Sequence, residues 1–488
     1  MTPAKNPDHV SRRVVAIDLG AESCRVSLVE WNSGQCQLSE VHRFANGPVE
    51  WNAHLRWDLK RICEQIHLGL RKCAAEAHGP IDSIGVDGWA VDYVRLDANG
   101  LPLQPPFCYR DPRTVGCPEQ FWKTLSADRL YSLTGIQMLR FNTLYQLICD
   151  RRDGLDSGAG WVNLPEYVLH ELGGARVSEY TNATHTQLVG TREKAWSKEI
   201  FDAAGLDFGR APRIVPPGTI VGAVRGELAA LPQFANTSLI APACHDTGAA
   251  VAGIPACGYD WAFLSSGTWS LVGTVLDYPC LTVGAFRNNL SNEGGLEGKI
   301  RFLKNVNGMW LIEECLRHWR QAGTEWKAAD LVQACQAHPA PKELLNVDDP
   351  ELMLAGEMPA RINRVLQRQG SAPYSEGAED APKLACLIFQ SLAARYAQVL
   401  NMILEVTGKK INRIYVVGGG SRNAFLNRLL QEHTGLDVIR GPVESSTVGN
   451  AAIQLAALDG ATGAFGVSAS RVAEWSARLT ELDVYSIA

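Results

Sequence analysis

Apolar residues fall along this chain in short blocks that stop abruptly at polar turns, and the turns hold most of the chemistry-bearing side chains. Residues 14–31 (VVAIDLGAESCRVSLVEW) form two β-rich runs around a polar turn, which predicts a hairpin with Asp18 at the end of its first strand. Helical spacing over 57–77 puts Leu59, Ile62, Ile66 and Leu70 on one side, with Asp58 near the start, where the helix dipole favours an acid. Residues 81–96 alternate as a strand, a break at Gly88 and a second strand. Leu239 to Ala243 is a short apolar run, read as a buried strand, that gives way to His245, Asp246, Thr247 and Gly248 and then to a helix of small residues.

The second half repeats the plan. Residues 261–275 (WAFLSSGTWSLVGTV) are again strand, turn, strand, which predicts a duplicated domain with a crevice between the halves and a boundary near 250–260. Residues 305–319 start at a polar turn and become a helix, and 336–382, poor in periodicity and broken by prolines, read as a surface excursion. Residues 384–406 are apolar on nearly every side and stop at Gly408, which marks a buried helix. Residues 411–423 (INRIYVVGGGSRN) are a buried strand that ends in three glycines before a helix; 434–438 follow as a strand and 441–456 as a helix of small residues.

Composition narrows the partner. A chain of 488 residues suggests two or three domains, and 46% hydrophobic with 20% charged residues is ordinary for a globular protein. A net charge of −6 gives no footprint for nucleic acid or an anionic membrane, so a small-molecule partner is expected. No apolar run reaches spanning length and the leader MTPAKNPDHVSRR lacks the apolar core of a secretory signal, so the expected location is cytoplasmic. The 13 cysteines show no zinc-type spacing and read as reduced thiols.

The turns admit two readings each. Gly20 to Cys24 offers backbone amides to a phosphate, Arg25 adds a cation and Asp18 would hold Mg²⁺ through water; the same residues also suit a plain hairpin turn. Asp246 and Thr247 either cap a helix or place a carboxylate at an anion-binding helix start. Asp87, Trp89 and Asp92 suit a sugar pocket, or Trp89 is core. Arg110, Asp111 and Arg113 in the proline-rich loop 105–114 read as solvated charges. Residues 141–147 and 180–188, rich in hydroxyls and amides, either line a polar site or form turns. Close approach of the backbone to a ligand is one reason for three glycines at 418–420, since a sharp turn needs only one; the turn does not match G-x-G-x-x-G.

Taken in order, AIDLGAESCRV, GWAVD, YRDPRT, GIQMLRFNTLYQL, YTNATHTQL, CHDTGAAVAG, LSSGTWSLVG, NEGG, LKNVNGMW, VVGGGSRN and GPVESSTVGN resemble the FGGY sugar kinases over nearly the whole chain. The resemblance implies an α/β architecture of two ribonuclease H-like, actin-like ATPase domains around a central cleft. Residues 1–250 would bind sugar and phosphates, and 251–488 the nucleotide. Within the family the match is to members that phosphorylate the 1-hydroxyl of L-rhamnulose with ATP and Mg²⁺, acting as a monomer or weak homo-oligomer.

By motif position, Asp246 would be the catalytic base, and Ala90, His245, Thr247 and Asn305 would join it in contacting sugar. Ala21, Glu22, Ser23, Cys24 and Arg25 would bind the ATP phosphates, Thr268 would face the β/γ-phosphates, and Glu313 and Gly419 would approach the nucleotide. Asp18 would be the Mg²⁺ partner. Ala90 stands where the family has glycine, Cys24 where one of its members has glycine, Gly88 where the family has threonine, and Glu313 replaces a glutamine that meets ATP. Another ketose (L-fuculose, D-xylulose or a deoxyketose) is the in-family alternative; an actin-like or chaperone-like nucleotide switch is the alternative of a different class.

Overall fold

The hairpin expected at 14–31 is β1 (Arg12–Leu19) and β2 (Ser23–Asn32), antiparallel, with Asp18 opposite Arg25. It belongs to a computed structural model that describes residues 11–155, 158–256, 258–354 and 356–480; the leader at 1–10 lies outside them. β3 (Gln35–Ala45) extends the meander, and β4 (Ser83–Gly88), β5 (Thr219–Ala223) and β6 (Ser238–Ala241) complete a sheet in the order β5-β6-β4-β1-β2-β3. β4 runs parallel to β1, and β6 parallel to β4. β1 reads as an unbroken apolar run because both of its faces are covered. Val15 and Ile17 join a core with Leu59, Ile62, Ile66 and Leu70 of the helix Leu59–Glu76, while Val14 packs with Val448 and Ile453 of the helix Ser445–Leu458. Asp58 caps the first of these helices, accepting from the Arg61 N–H at 3.0 Å.

Contacts divide the chain into two compact units, one holding the described residues of 11–256, 275–302 and 445–480, the other those of 258–274 and 303–444. In the second unit β7 (Trp261–Ser266) is antiparallel to β8 (Trp269–Leu276) and parallel to β9 (Arg413–Val417), which is parallel to β10 (Asp437–Arg440). These are the relations β1 bears to β2, β4 and β6, so the repeated hairpin does mark a repeated ribonuclease H-like topology. The buried helix Ala381–Thr407 ends at Gly408, which takes the left-handed φ of 65° that closes a helix with glycine.

Several local expectations change. Residues 336–382 are no mere surface excursion: Leu345, Val347, Leu352 and, on the helix Met358–Arg368, Ile362 and Leu366 are buried. Asn305 lies on the strand Ile300–Asn307, and the helix after it begins only at Trp310. Thr434 ends a helix, and the strand there is β10. The strand Tyr93–Leu96 pairs with Gly160–Asn163 instead of joining the large sheet. The cause is Val91, whose φ of 70° turns the chain; the Thr143 hydroxyl, donating to the Val91 carbonyl at 2.7 Å, helps to hold this disfavoured conformation.

Candidate active site

β6 delivers the chain to His245, which is the cap of the helix Asp246–Ala252 by backbone conformation but makes no capping side-chain bond. Asp246 is therefore the first helical residue and not the cap. Its Oδ1 accepts the Thr247 hydroxyl at 3.1 Å and the Thr247 N–H, and 36% of its side chain stays open to solvent against 6% for His245. Surrounding burial and the charge of Asp18 push its carboxyl up to about 7. A carboxyl that titrates near neutrality is matched to proton transfer.

Asp18 is held from two directions: its Oδ2 accepts Arg25 Nη2 and Ser446 Oγ, both at 2.7 Å. Asp87 is its neighbour across the parallel strand pair, buried, with Oδ2 accepting Asn450 Nδ2 at 2.6 Å and Oδ1 buried without a hydrogen-bond partner. Burial and the adjacent Asp18 hold the Asp87 carboxyl well above the usual range. Asp87, expected in a sugar pocket, thus belongs with Asp18. Asp18 and Asp87, adjacent carboxylates of which one has an orphaned acceptor oxygen, form a donor set that fits a hard divalent cation.

Ala21, Glu22 and Ser23 form the partly exposed turn of the hairpin, with Arg25 turned onto Asp18. Cys24 points the other way: its thiol is buried in the core and donates to the Gly20 carbonyl at 3.6 Å, so the departure from glycine adds no bulk at the turn surface. Every described cysteine is a free thiol. Ala90 is buried in the same core. Trp89 is core too, and Asp92 is fully engaged, accepting Trp57 Nε1 at 2.6 Å, Trp89 Nε1 at 3.0 Å, Gln146 Nε2 at 2.9 Å and the Tyr109 N–H at 3.1 Å. With those acceptor sites taken, Asp92 serves the core. Two of the three loop charges are not solvated: Asp111 and Arg113 are buried, and Arg113 donates to Asp150 at 2.6 Å, while Arg110 is partly exposed.

In the second unit the candidate residues converge on the turn between β7 and β8. The N–H groups of Met309 and Trp310 donate to the carbonyls of Gly267 (2.9 Å) and Thr268 (3.2 Å), docking the chain between Asn305 and Glu313 against Thr268. The glycine turn meets the end of β7. Gly418 adopts φ 82°, and a Cβ on Gly420 would lie 2.0 Å from Ser266 Oγ, so both glycines are required by the fold. A Cβ on Gly419 would meet no heavy atom within 4 Å, so nothing in the fold requires glycine there.

Sequence reasoning gave no role to Arg301 and Glu293, which form a buried ionic cluster beside Asp246 with His245, expected as a sugar contact, and His185, from the stretch 180–188. Arg301 Nη1 lies 3.2 Å from Glu293 Oε2, Arg301 Nη2 lies 3.1 Å from His245 Nδ1, and His185 Nε2 lies 3.4 Å from Glu293 Oε1. NEGG was visible as a block, but an acid alone does not name its partner. Glu179 and Glu166 were missed as well. Glu179 accepts the Cys244 N–H at 2.8 Å, anchoring the approach to His245, and burial pushes the carboxyls of Glu179 and Glu166 up to about 7 and about 8. Among the described residues, no helix is long and apolar enough to cross a membrane.

Comparison with known proteins places the chain. The N-terminal domain model of the FGGY carbohydrate kinases matches residues 13–253, and the C-terminal domain model matches 262–458. The chain is 37% identical to a rhamnulokinase of Enterococcus faecalis, covering 91% of this chain and 89% of that protein. It is 39% identical to one of Pectobacterium carotovorum, covering 92% and 88%. Among solved structures it is similar in fold to a xylulose kinase from Lactobacillus acidophilus (TM-score 0.77, 15% identity, 95% of this chain and 92% of that one). It is also similar in fold to a Plasmodium falciparum glycerol kinase with ADP (TM-score 0.72, 12% identity, 96% and 92%). The chain belongs to the FGGY family of carbohydrate kinases.

Proposed function

We propose that the protein transfers the γ-phosphoryl group of ATP to the 1-hydroxyl of L-rhamnulose, with Asp246 as the general base. The observation that carries this reading is Asp246 itself: a part-exposed carboxylate at the head of its helix, titrating near 7 and flanked by Asp18. Rhamnulokinase relatives matched over about nine-tenths of the chain support the choice of sugar. Asp246 takes the proton as the sugar oxygen bonds to the γ-phosphorus, and the bond from that phosphorus to the leaving oxygen of ADP breaks. His245, Thr247, Ala90 and Asn305 orient the sugar.

Ala21 to Arg25 meet phosphate oxygens, Thr268 the β/γ-phosphates, and Glu313 and Gly419 the nucleotide, so residues 251–488 supply the nucleotide-binding part. Asp18 and Asp87 would hold Mg²⁺, which when bound neutralises charge on the phosphate oxygens. The test is ADP formation from ATP with a panel of ketoses, repeated with Asp246→Asn. ADP should form only with sugar, fastest with L-rhamnulose, and the variant should lose about 10²–10⁴-fold in kcat with a small change in KM. Sugar-independent hydrolysis or a fully active variant overturns the reading; preference for another ketose overturns only the substrate.

A further inference from the structure

We infer that Arg301 and Glu293 are positioning residues that hold the His245 imidazole in its Nε2–H form and aim that N–H at the sugar oxygen acted on by Asp246. The inference rests on the sugar-kinase reading above and deepens it. Arg301 Nη2 stands 3.1 Å from His245 Nδ1, closer than the Glu293 carboxylate oxygen that faces the same nitrogen at 3.5 Å without a hydrogen bond, and a guanidinium only donates, so Nδ1 presents its lone pair. The single proton of the neutral ring is then on Nε2. That nitrogen lies 3.4 Å from Asp246 Oδ1, too long for a good hydrogen bond, and its proton is left for an oxygen seated between the two groups.

The Gly294 carbonyl and the charge of Glu293 hold the guanidinium. Arg301 Nε donates to the Gly294 carbonyl at 2.8 Å, and Glu293 Oε2 faces Arg301 Nη1 at 3.2 Å as an ion pair without hydrogen-bond geometry. His185 closes the far side, its ring edge-on to His245 with centroids 4.8 Å apart. All four side chains are buried, with Glu293 at 0% and Arg301 at 1% exposure. A buried ion pair is poor value for stability, because apolar residues of the same volume usually do as well. Its placement against the residue before the base gives it a reason to exist. Atoms of His185, His245 and Glu293 lie within 4.8 Å of one another, a spacing that admits a metal ion. The Arg301 guanidinium already faces both Glu293 and His245 Nδ1, so the cation of this cluster is the arginine.

The test is ¹⁵N-histidine NMR of the full chain, with the His245 signal assigned by His245→Gln, alongside steady-state kinetics on Arg301→Lys, Arg301→Met and Glu293→Gln. Wild type and Arg301→Lys should show His245 protonated on Nε2, and Arg301→Met a mixture of tautomers. Arg301→Met should lose about 10- to 100-fold in kcat/KM for L-rhamnulose, the scale of a misplaced contact, with the KM for ATP within about twofold of wild type. Arg301→Lys should recover most of that loss. If Arg301→Met does not fold, the near-isosteric Glu293→Gln should move tautomer and rate in the same direction. The inference is overturned if the tautomer and rate survive Arg301→Met, or if Arg301→Lys loses as much as Arg301→Met. It is also overturned if Zn²⁺ or Co²⁺ binds the wild-type cluster in place of the guanidinium pairing. The tautomer is read without turnover, so failure of wild type to phosphorylate any ketose removes the functional reading and leaves the geometric result to be judged separately.

Discussion

If Asp246 is the base, the pH dependence of the reaction is set by its surroundings. Its carboxyl is pushed up to about 7, first by burial and then by the negative charge of Asp18. Only the ionised form accepts the proton of the sugar, so kcat/KM for the sugar must rise with pH through this value and level off above it. With a midpoint near 7, about a tenth of the enzyme is active at pH 6 and about a hundredth at pH 5. An unperturbed aspartate, with a model value of 3.8, would leave the rate flat over the same span. The assay is coupled ADP release between pH 5 and 8.5 at saturating ATP and Mg²⁺. Phosphate groups titrate at about pH 6 themselves, so the profile is compared with that of Asp18→Asn, in which the nucleotide is the same but the carboxylate beside Asp246, with its share in holding Mg²⁺, loses its charge. Removing that charge should lower the maximum rate and shift the acidic limb to lower pH. A flat wild-type profile, a limb near pH 4, or an Asp18→Asn limb displaced upward refutes the reasoning.

Two glycines give opposite expectations. Gly419→Ala should leave the urea midpoint unchanged, because its methyl meets nothing, yet raise the KM for ATP about tenfold, the equivalent of ~1.4 kcal/mol; an unchanged KM removes Gly419 from the nucleotide site. Gly449→Ala should cost about 1–3 kcal/mol or more by the same melt, since its Cβ would lie 1.9 Å from the Ala249 carbonyl oxygen where two helices touch; an unchanged midpoint disproves that contact.

The strands were legible where apolar runs end in a sudden polar residue, as at Asp18 and Asp246, because a strand covered on both faces leaves a continuous hydrophobic signature. The repeated hairpin carried the duplication for the same reason. Residue type without partner was where reading failed. Asp92 looked like a sugar ligand and is consumed by two indoles, an amide and a backbone N–H. Arg113 looked solvated and is paired with Asp150, 37 positions away. Arg301 and His245 are 56 residues apart, and no local pattern joins them. At the Asp246 turn backbone conformation gives the cap position to His245, while the Asp246 carboxylate, on the first helical residue, accepts the Thr247 N–H.

The return of the helix Ser445–Leu458 to the first unit bears on how the protein is made. Asp18 leaves the ribosome 428 residues before Ser446, which holds it, and Asp87 leaves 363 residues before its partner Asn450. At bacterial-to-eukaryotic elongation rates of about 5–20 residues per second, the acids wait roughly 20 to 90 s for those partners. During synthesis the nascent β1 and β4 carry polar ends with no helix to cover them. The segment that completes the acid cluster is translated after the turns at 20–24, 267–268 and 418–420, so a chain that stops before Ser445 has those turns in full but cannot finish the carboxylate cluster.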